Sequence, residues 1–129
     1  MDAPAVSVLI VDDQAPFRRA AATVVGLTRG FEVVGEARSG EEAVEFARTL
    51  APQMVLMDIN LGGMNGIEAT RVITAASPHT VVLLLSTYQV EDLPVDAATS
   101  RATAYVNKDA FGPQVLREVW EKRATRQLP

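Results

Sequence analysis

The 129-residue sequence predicts an α/β fold in which a doubly wound, five-stranded parallel sheet carries helices on both faces. The first observation behind this prediction is that strand and helix signals alternate about five times along the chain. The second is that the strand signals are short, mostly continuous apolar runs, as expected for strands covered on both faces. The length suffices for one core, and residues 1–129 are therefore predicted to form a single domain.

Two strand–helix units are predicted in the first part of the chain. The strand Val6–Val11 is an apolar run, and the helix Ala15–Thr28 stops before Gly30, a residue type that commonly follows helix ends. The second strand, Glu32–Glu36, leads to the helix Gly40–Leu50. A serine–glycine pair marks the start of this helix, and a proline follows its end.

Two further units are predicted in the middle of the chain. The strand Met54–Met57 is followed by the helix Gly66–Ala76, which ends two residues before a proline. The strand Val81–Leu85 is followed by a short helix at Val95–Arg101. The proline before Val95 cannot lie inside a helix, so this helix cannot start much earlier.

The last unit consists of the strand Ala104–Val106 and the helix Gly112–Arg126. Apolar side chains recur in this helix at helical spacing and are predicted to face the core. They are Val115, Leu116, Val119 and Trp120. Met54 and Met57 are interpreted as core residues rather than cofactor contacts. His79, the single histidine, is expected in an exposed loop.

Acidic residues follow two of the predicted strands. Asp12 and Asp13 come directly after the first strand, and Asp58 comes directly after the third. Because ligands of open α/β sheets bind outside the carboxyl ends of the strands, these carboxylates are expected to converge. Such a cluster raises the energy of the ionised forms unless a cation lies among them, and oxygen ligands favour Mg²⁺. The chemistry predicted is phosphoryl transfer at a carboxylate.

Composition narrows the class of protein. Hydrophobic residues make up 48% and charged residues 22% of the chain, which is typical of a compact globular protein. The absence of cysteine excludes disulfides and zinc–thiolate sites. The start of the chain has no basic signal region and no apolar run is long enough to span a membrane, so a soluble, cytoplasmic protein is expected. A net charge of −4 argues against nucleic-acid binding by this domain alone.

Four motifs, in this order, resemble the receiver domain of two-component response regulators, in particular receivers of the NarL/FixJ type. They are Val8–Asp13, Val33–Ala37, Val55–Gly66 and Tyr105–Ala110. The resemblance extends from about Val6 to Arg123, and the ordered set is far more specific than any one motif. It implies a flavodoxin-like fold with receiver topology that is phosphorylated on an aspartate.

The resemblance also implies roles for individual residues. Asp58 is expected to be the phospho-acceptor, a carboxylate nucleophile that forms an acyl phosphate. Asp12, Asp13 and Asp58 are expected to hold Mg²⁺ together with the backbone carbonyl of Asn60. The protein would then be a phospho-accepting switch rather than an enzyme acting on a separate substrate, and its only chemistry would be self-phosphorylation and self-dephosphorylation.

A second set of residues is expected to bind the phosphoryl group or to respond to it. Lys108 would contribute an ammonium group to the phosphate, and Ser86 would donate a hydroxyl. Thr87 is the adjacent alternative to Ser86, although spacing to Lys108 favours Ser86. Tyr105, three residues before Lys108, is expected to move inward when Ser86 moves toward the phosphate; otherwise it is a half-buried strand aromatic.

The resemblance further implies partners. A sensor histidine kinase would supply the phosphoryl group. A homodimer could form through the helix at Val95–Arg101, the strand after it and the last helix. Transcription would be regulated through a DNA-binding output domain that this chain does not contain, and no membrane contact is expected.

Positions 62, 87 and 101 are among those that depart from the family pattern. Gly62 replaces a proline in the loop after the phospho-acceptor, which should loosen that loop. Thr87 replaces an alanine, and Tyr88 stands where side chains can control access to the phosphoryl group. Arg101 replaces a glycine, so it must adopt a left-handed conformation or end the helix differently.

Other interpretations remain open on the sequence alone. Asp12 and Asp13 could simply cap the first helix, and Lys108 could be a solvated loop lysine. A flavodoxin-like domain that binds flavin or cobalamin is a second possibility, although the first βα turn is acidic and has no glycine. The third is a pseudo-receiver, an interaction module that no longer turns over phosphate. The presence of Asp58 and the other expected site residues argues against it.

Overall fold

The structure, a computed structural model, describes residues 4–87 and 100–127, with side chains to residue 123. The strands within these residues are β1 (Val6–Val11), β2 (Phe31–Ala37), β3 (Met54–Asp58), β4 (Val81–Ser86) and β5 (Ala104–Asn107). The α-helices are α1 (Ala15–Leu27), α2 (Gly40–Leu50), α3 (Gly66–Ala76) and α4 (Pro113–Gln127), and a short 3₁₀ turn spans Lys108–Ala110. No helix in the described residues is long and apolar enough to cross a membrane.

All five strands are parallel and lie in the order β2-β1-β3-β4-β5. This order confirms the predicted doubly wound sheet and is that of flavodoxin-like folds. The order reverses between β1 and β3, whose loops therefore leave toward opposite faces. The crevice outside the carboxyl ends of these two strands is where such folds bind ligands.

The two faces of the sheet carry separate hydrophobic cores because side chains alternate along each strand. One core packs β-sheet residues against α2 and α3 and includes Val55, Met57 and Ile67. The other packs them against α1 and α4 and includes Met54 and Leu116. Met54, Met57 and the apolar face of α4 are thus in the core, as predicted, and His79 is exposed.

Where the element boundaries differ from the predictions in the compared elements, they differ by one residue. Thr28 is not part of α1 but its C-cap, with extended backbone angles and a hydroxyl that donates to the carbonyl of Val24 at 2.6 Å. Ser86 is the last residue of β4 rather than the first residue after it. The last helix begins at Pro113 instead of Gly112, because proline suits the first turn of a helix.

The helix predicted at Val95–Arg101 is described only at its end. Residues 88–99, which include Tyr88, lie outside the described part of the chain. Ser100 and Arg101 form a turn, so the prediction of helix up to Arg101 is wrong. Arg101 has φ 71°, which is the left-handed alternative expected where a glycine is replaced. The conformation costs a non-glycine residue about 1–2 kcal/mol.

Candidate functional site

Three carboxylates meet at the point where the strand order reverses. Asp12 and Asp13 follow β1, Asp58 ends β3, and one carboxylate oxygen from each lies within 4.8 Å of the others. Asp12 is fully buried and Asp58 is 3% exposed, whereas Asp13 faces solvent. The convergence predicted from the sequence is therefore present in the structure, with one edge of the cluster open to water.

The Asp12 side chain is fixed by the first βα loop. Its Oδ1 accepts a hydrogen bond from the backbone N–H of Gln14 at 2.8 Å. The guanidinium of Arg18 donates to the Asp12 carbonyl at 2.7 Å and lies 3.4 Å from a Glu36 carboxylate oxygen. Gln14 is the N-cap of α1 and makes no side-chain capping bond. Capping of α1 by Asp12 or Asp13, the simpler interpretation of these residues, is therefore wrong.

Asp58 is held by the segment that follows it. Its Oδ1 accepts from the Asn60 backbone N–H at 3.2 Å. Gly66, the first residue of α3, packs so closely on the Asp58 carbonyl that a Cβ atom there would overlap it. Only glycine therefore allows α3 to approach this strand end, and this approach fixes the backbone that carries the Asp58 carboxyl group.

Burial is the main reason that the pKa of the Asp58 carboxyl rises from 3.8 to about 6. The negative charge of Asp12 adds to this rise, and that of Asp13 adds a smaller amount. The Lys108 ammonium and the hydrogen bond from Asn60 act in the opposite direction, since both stabilise the ionised carboxylate. At neutral pH Asp58 is consequently still ionised in most molecules, but it is more basic than an exposed aspartate.

Lys108 brings the cation of the site from the other end of the sheet. It follows β5, and its Nζ lies 2.6 Å from Asp12 Oδ2 and 3.5 Å from Asp58 Oδ2. The 2.6 Å contact is an ion pair, since among the described residues Asp12 Oδ2 accepts no hydrogen bond of suitable geometry. The Lys108 side chain is 15% exposed, so it is not the solvated loop lysine of the simpler interpretation.

The remaining expected residues surround this group at different depths. Ser86 is buried at the end of β4, one residue beyond Leu85, the register partner of Asp58. Thr87 is exposed, and its carbonyl accepts from the Asn107 side chain at 3.4 Å. Tyr105 is half-buried against the core on the α2–α3 face. Tyr105 therefore matches the half-buried aromatic of the simpler interpretation, which leaves its movement untested.

The donor set fits a hard divalent cation. Its side-chain ligands are carboxylate oxygens, and the open edge at Asp13 leaves room for water, which Mg²⁺ retains in proteins. A cation there would also relieve the repulsion that helps to raise the pKa of Asp58. Asn60, whose backbone carbonyl was the further expected ligand, is exposed at the rim of the cluster.

Three residues that contact the site or its loops were not predicted from the sequence. Arg18 holds the Asp12 backbone, and Phe17 lies with its ring 4.5 Å from Lys108 Nζ. Glu41, in the first turn of α2, accepts from the Met64 N–H at 3.3 Å and so contacts the loop after Asp58. The short sequence separation between Asp12 and Arg18 was the only signal available, because the contacts of Phe17 and Glu41 are non-local.

Comparisons with known proteins agree with this geometry. A family model described as the response regulator receiver domain matches residues 8–121. Transcriptional regulatory protein LnrK of Bacillus subtilis (strain 168) is 35% identical over 114 residues, which cover 88% of this chain and 52% of LnrK. Response regulator UvrY of Escherichia coli (strain K12) is 34% identical over 111 residues, which cover 86% of this chain and 51% of UvrY.

Solved structures give the same result. A signal receiver domain described as that of the response regulator NarL from Mycobacterium tuberculosis has a TM-score of 0.85 and 25% identity. The alignment covers 95% of this chain and 98% of that domain. The chain thus matches an isolated receiver domain over nearly its full length, whereas it spans about half the length of the two curated relatives.

Proposed function

The chain belongs to the response regulator receiver domain family of two-component systems, and on that basis we propose that it accepts a phosphoryl group on Asp58. The phosphoryl donor is the phosphohistidine of a sensor histidine kinase. The observation that carries the proposal is that buried Asp12, buried Asp58 and the ammonium of Lys108 form one cluster with exposed Asp13 at its open edge. The protein is a switch rather than an enzyme with a separate substrate.

Asp58 is the nucleophile of the proposed reaction. One of its carboxylate oxygens attacks the phosphorus of the donor, so that a P–O bond forms while the P–N bond of phosphohistidine breaks. The bonding electrons remain on the imidazole nitrogen of the kinase. The raised pKa of Asp58 supports this role, because a more basic carboxylate is a better nucleophile and is still ionised at neutral pH.

Asp12, Asp13, Asp58 and the backbone carbonyl of Asn60 are the proposed ligands of Mg²⁺. When bound, Mg²⁺ neutralises the negative charge that the phosphoryl group brings to three carboxylates. Asp13 offers its oxygen from the solvent side, whereas Asp12 offers a buried oxygen held in place by the hydrogen bond from Gln14. Arg18 fixes the Asp12 backbone and so orients both acidic side chains of the loop.

Lys108 and Ser86 are the proposed phosphate-binding residues. The ammonium is already at the Asp58 carboxylate, at 3.5 Å, so it needs little movement to contact a phosphoryl oxygen on that residue. Ser86 ends the neighbouring strand close to Asp58 and donates its hydroxyl, with Thr87 as the exposed neighbour that limits access of water. Hydrolysis of the acyl phosphate returns the switch to its starting state.

The proposed readout of phosphorylation lies on the β5 side of the domain. Ser86 moves toward the phosphoryl group and Tyr105 turns inward behind it, which changes the surface made by β5 and α4. A homodimer through this surface is one consequence. The output is proposed to be transcriptional, through a DNA-binding domain, because the matched relative LnrK is a transcriptional regulatory protein of about twice the matched length.

Phosphorylation can be tested without the kinase by using a small acyl phosphate as donor. The intact mass of the protein should rise by one phosphoryl group when Mg²⁺ is present and should not rise when a chelator replaces it. Asp58→Asn should abolish the gain. Gain of the same mass by Asp58→Asn at the same rate would contradict the assignment of Asp58 as phospho-acceptor.

A further inference from the structure

The ring of Phe17 lies against the ammonium group of Lys108. Lys108 Nζ is positioned over the ring face, 4.5 Å from its centroid, well inside the distance at which a cation and an aromatic face attract each other. The two residues come from opposite ends of the chain, since Phe17 is in the first turn of α1 and Lys108 follows β5.

Phe17 presents its ring from a fixed position. Pro16 precedes it in the first turn of α1, where the proline ring restricts the backbone. Part of the Phe17 side chain packs against the core on the α1–α4 face. The next residue, Arg18, donates a hydrogen bond to the Asp12 carbonyl. The ring therefore belongs to the same rigid loop–helix junction that carries Asp12 and Asp13.

The Lys108 ammonium group needs the Phe17 ring to hold it, because its other contacts are with carboxylates that take part in the proposed reaction. Lysine has four rotatable side-chain bonds and three N–H donors. Within residues 4–87 and 100–123 its ion-pair partners are Asp12 and Asp58, the proposed metal ligand and the proposed phospho-acceptor. A ring face attracts the charge through its quadrupole without using a conventional acceptor. It can therefore hold the ammonium in place and leave the N–H donors for phosphoryl oxygens.

We propose that Phe17 is a positioning residue for Lys108: its ring face holds the ammonium group at the place where the phosphoryl group on Asp58 is bound. The inference rests on the proposed function for its consequence in phosphoryl transfer, but the contact itself does not depend on it. The alternative is that Phe17 only fills apolar space, in which case a leucine of similar bulk should serve equally well.

The contact can be tested without phosphorylation. Protons attached to the Lys108 side-chain carbon next to Nζ lie near the ring face, so their NMR resonances should be shifted upfield by the ring current. Phe17→Leu should return them to ordinary lysine positions, and Phe17→Tyr should preserve the shift. Unshifted Lys108 resonances in the unmodified protein would overturn the inference, whether or not the protein is phosphorylated.

The effect of the ring on phosphoryl transfer can be tested with fluorinated phenylalanines at position 17. Successive fluorine atoms weaken the negative ring face while they barely change its shape. The initial rate of phosphorylation by a small acyl phosphate should fall progressively, by about two- to fivefold in total, as expected for loss of one partly exposed cation–π contact. The same substitutions at Phe111, which also packs on the α1–α4 core, should leave the rate unchanged.

The two measurements separate the possible failures. A flat rate across the fluorinated series at position 17, or an equal fall at Phe111, would overturn positioning by the ring face. Absence of any phosphorylation in the unmodified protein would instead contradict the proposed function, and the ring-current measurement would still decide whether Phe17 holds Lys108.

Discussion

Gly66 packs directly on the backbone carbonyl of Asp58, so that any side chain at position 66 would overlap the strand end that carries the proposed phospho-acceptor. Gly66→Ala should lower the free energy of unfolding by about 1–3 kcal/mol, because backbone must shift to admit a methyl group. Chemical denaturation measures this directly. Gly62→Ala is the matched control, since nothing lies within 4 Å of a Cβ there; an equal loss in both variants would contradict the packing argument.

Stability without metal should depend on pH through Asp58. The pKa of its carboxyl is raised from 3.8 to about 6, so between these values the folded protein binds more protons than the unfolded chain. The contribution of Asp58 to the free energy of unfolding should therefore be most favourable at or below about pH 4, fall as the pH rises through 6, and then level off. The contribution is about 3 kcal/mol.

Denaturation in a chelator at pH 4.5 and 7.5 tests this dependence. Between these two pH values the free energy of unfolding should fall less in Asp58→Asn than in the unmodified protein. The difference between the two proteins separates the effect of Asp58 from that of the other carboxylates. Identical pH dependence in both proteins would show that the pKa of Asp58 is not raised in the folded state.

Mg²⁺ should stabilise the folded protein, because the acidic cluster exists only in the native state. Asp13→Ala should remove most of this stabilisation and should itself raise the metal-free melting temperature by relieving repulsion among like charges. Glu45→Ala removes an exposed carboxylate from α2 and is the control for net charge. An equal gain on adding Mg²⁺ to the Asp13→Ala and unmodified proteins would exclude Asp13 as a ligand.

Glu41 should order the loop that follows Asp58. Its carboxylate accepts from the Met64 N–H at 3.3 Å, and Gly63 in the same loop has φ 70°. Glu41→Ala should raise the hydrogen-exchange rate of the Met64 amide by roughly two- to tenfold, as expected for one hydrogen bond. The Glu45→Ala variant should leave that rate unchanged, and slow exchange at Met64 in both variants would mean that Glu41 does not hold the loop.

The fold could be predicted because its signals are local. Mostly continuous apolar runs predicted the strands. The aspartates at two strand ends predicted the location of the site, since parallel strands bring their carboxyl ends to one edge of the sheet. The position of Lys108 relative to Asp58 came from the resemblance to a family rather than from any spacing in the sequence. The structure supports it with a 3.5 Å ion pair.

What the sequence did not predict depends on contacts between distant segments. Nothing near Phe17 indicates that a lysine more than ninety positions later reaches its ring, and nothing near Glu41 indicates the loop at Met64. The end of the helix predicted at Val95–Arg101 was misplaced for a different reason. Arg101 has φ 71°, the left-handed alternative that the replacement of a glycine had left open, and a helix does not continue through a residue in that conformation.

The central claim, that Asp58 is the residue that accepts the phosphoryl group, can be tested at the level of the modified atom. Borohydride reduces an acyl phosphate to an alcohol but leaves free carboxylates unchanged, so it converts a phosphorylated aspartate into homoserine. After incubation with a small acyl phosphate and Mg²⁺, reduction and peptide mass mapping should find homoserine at position 58 and at no other aspartate. Homoserine at Asp12 or Asp13, or none anywhere in a protein that binds Mg²⁺, would contradict the account.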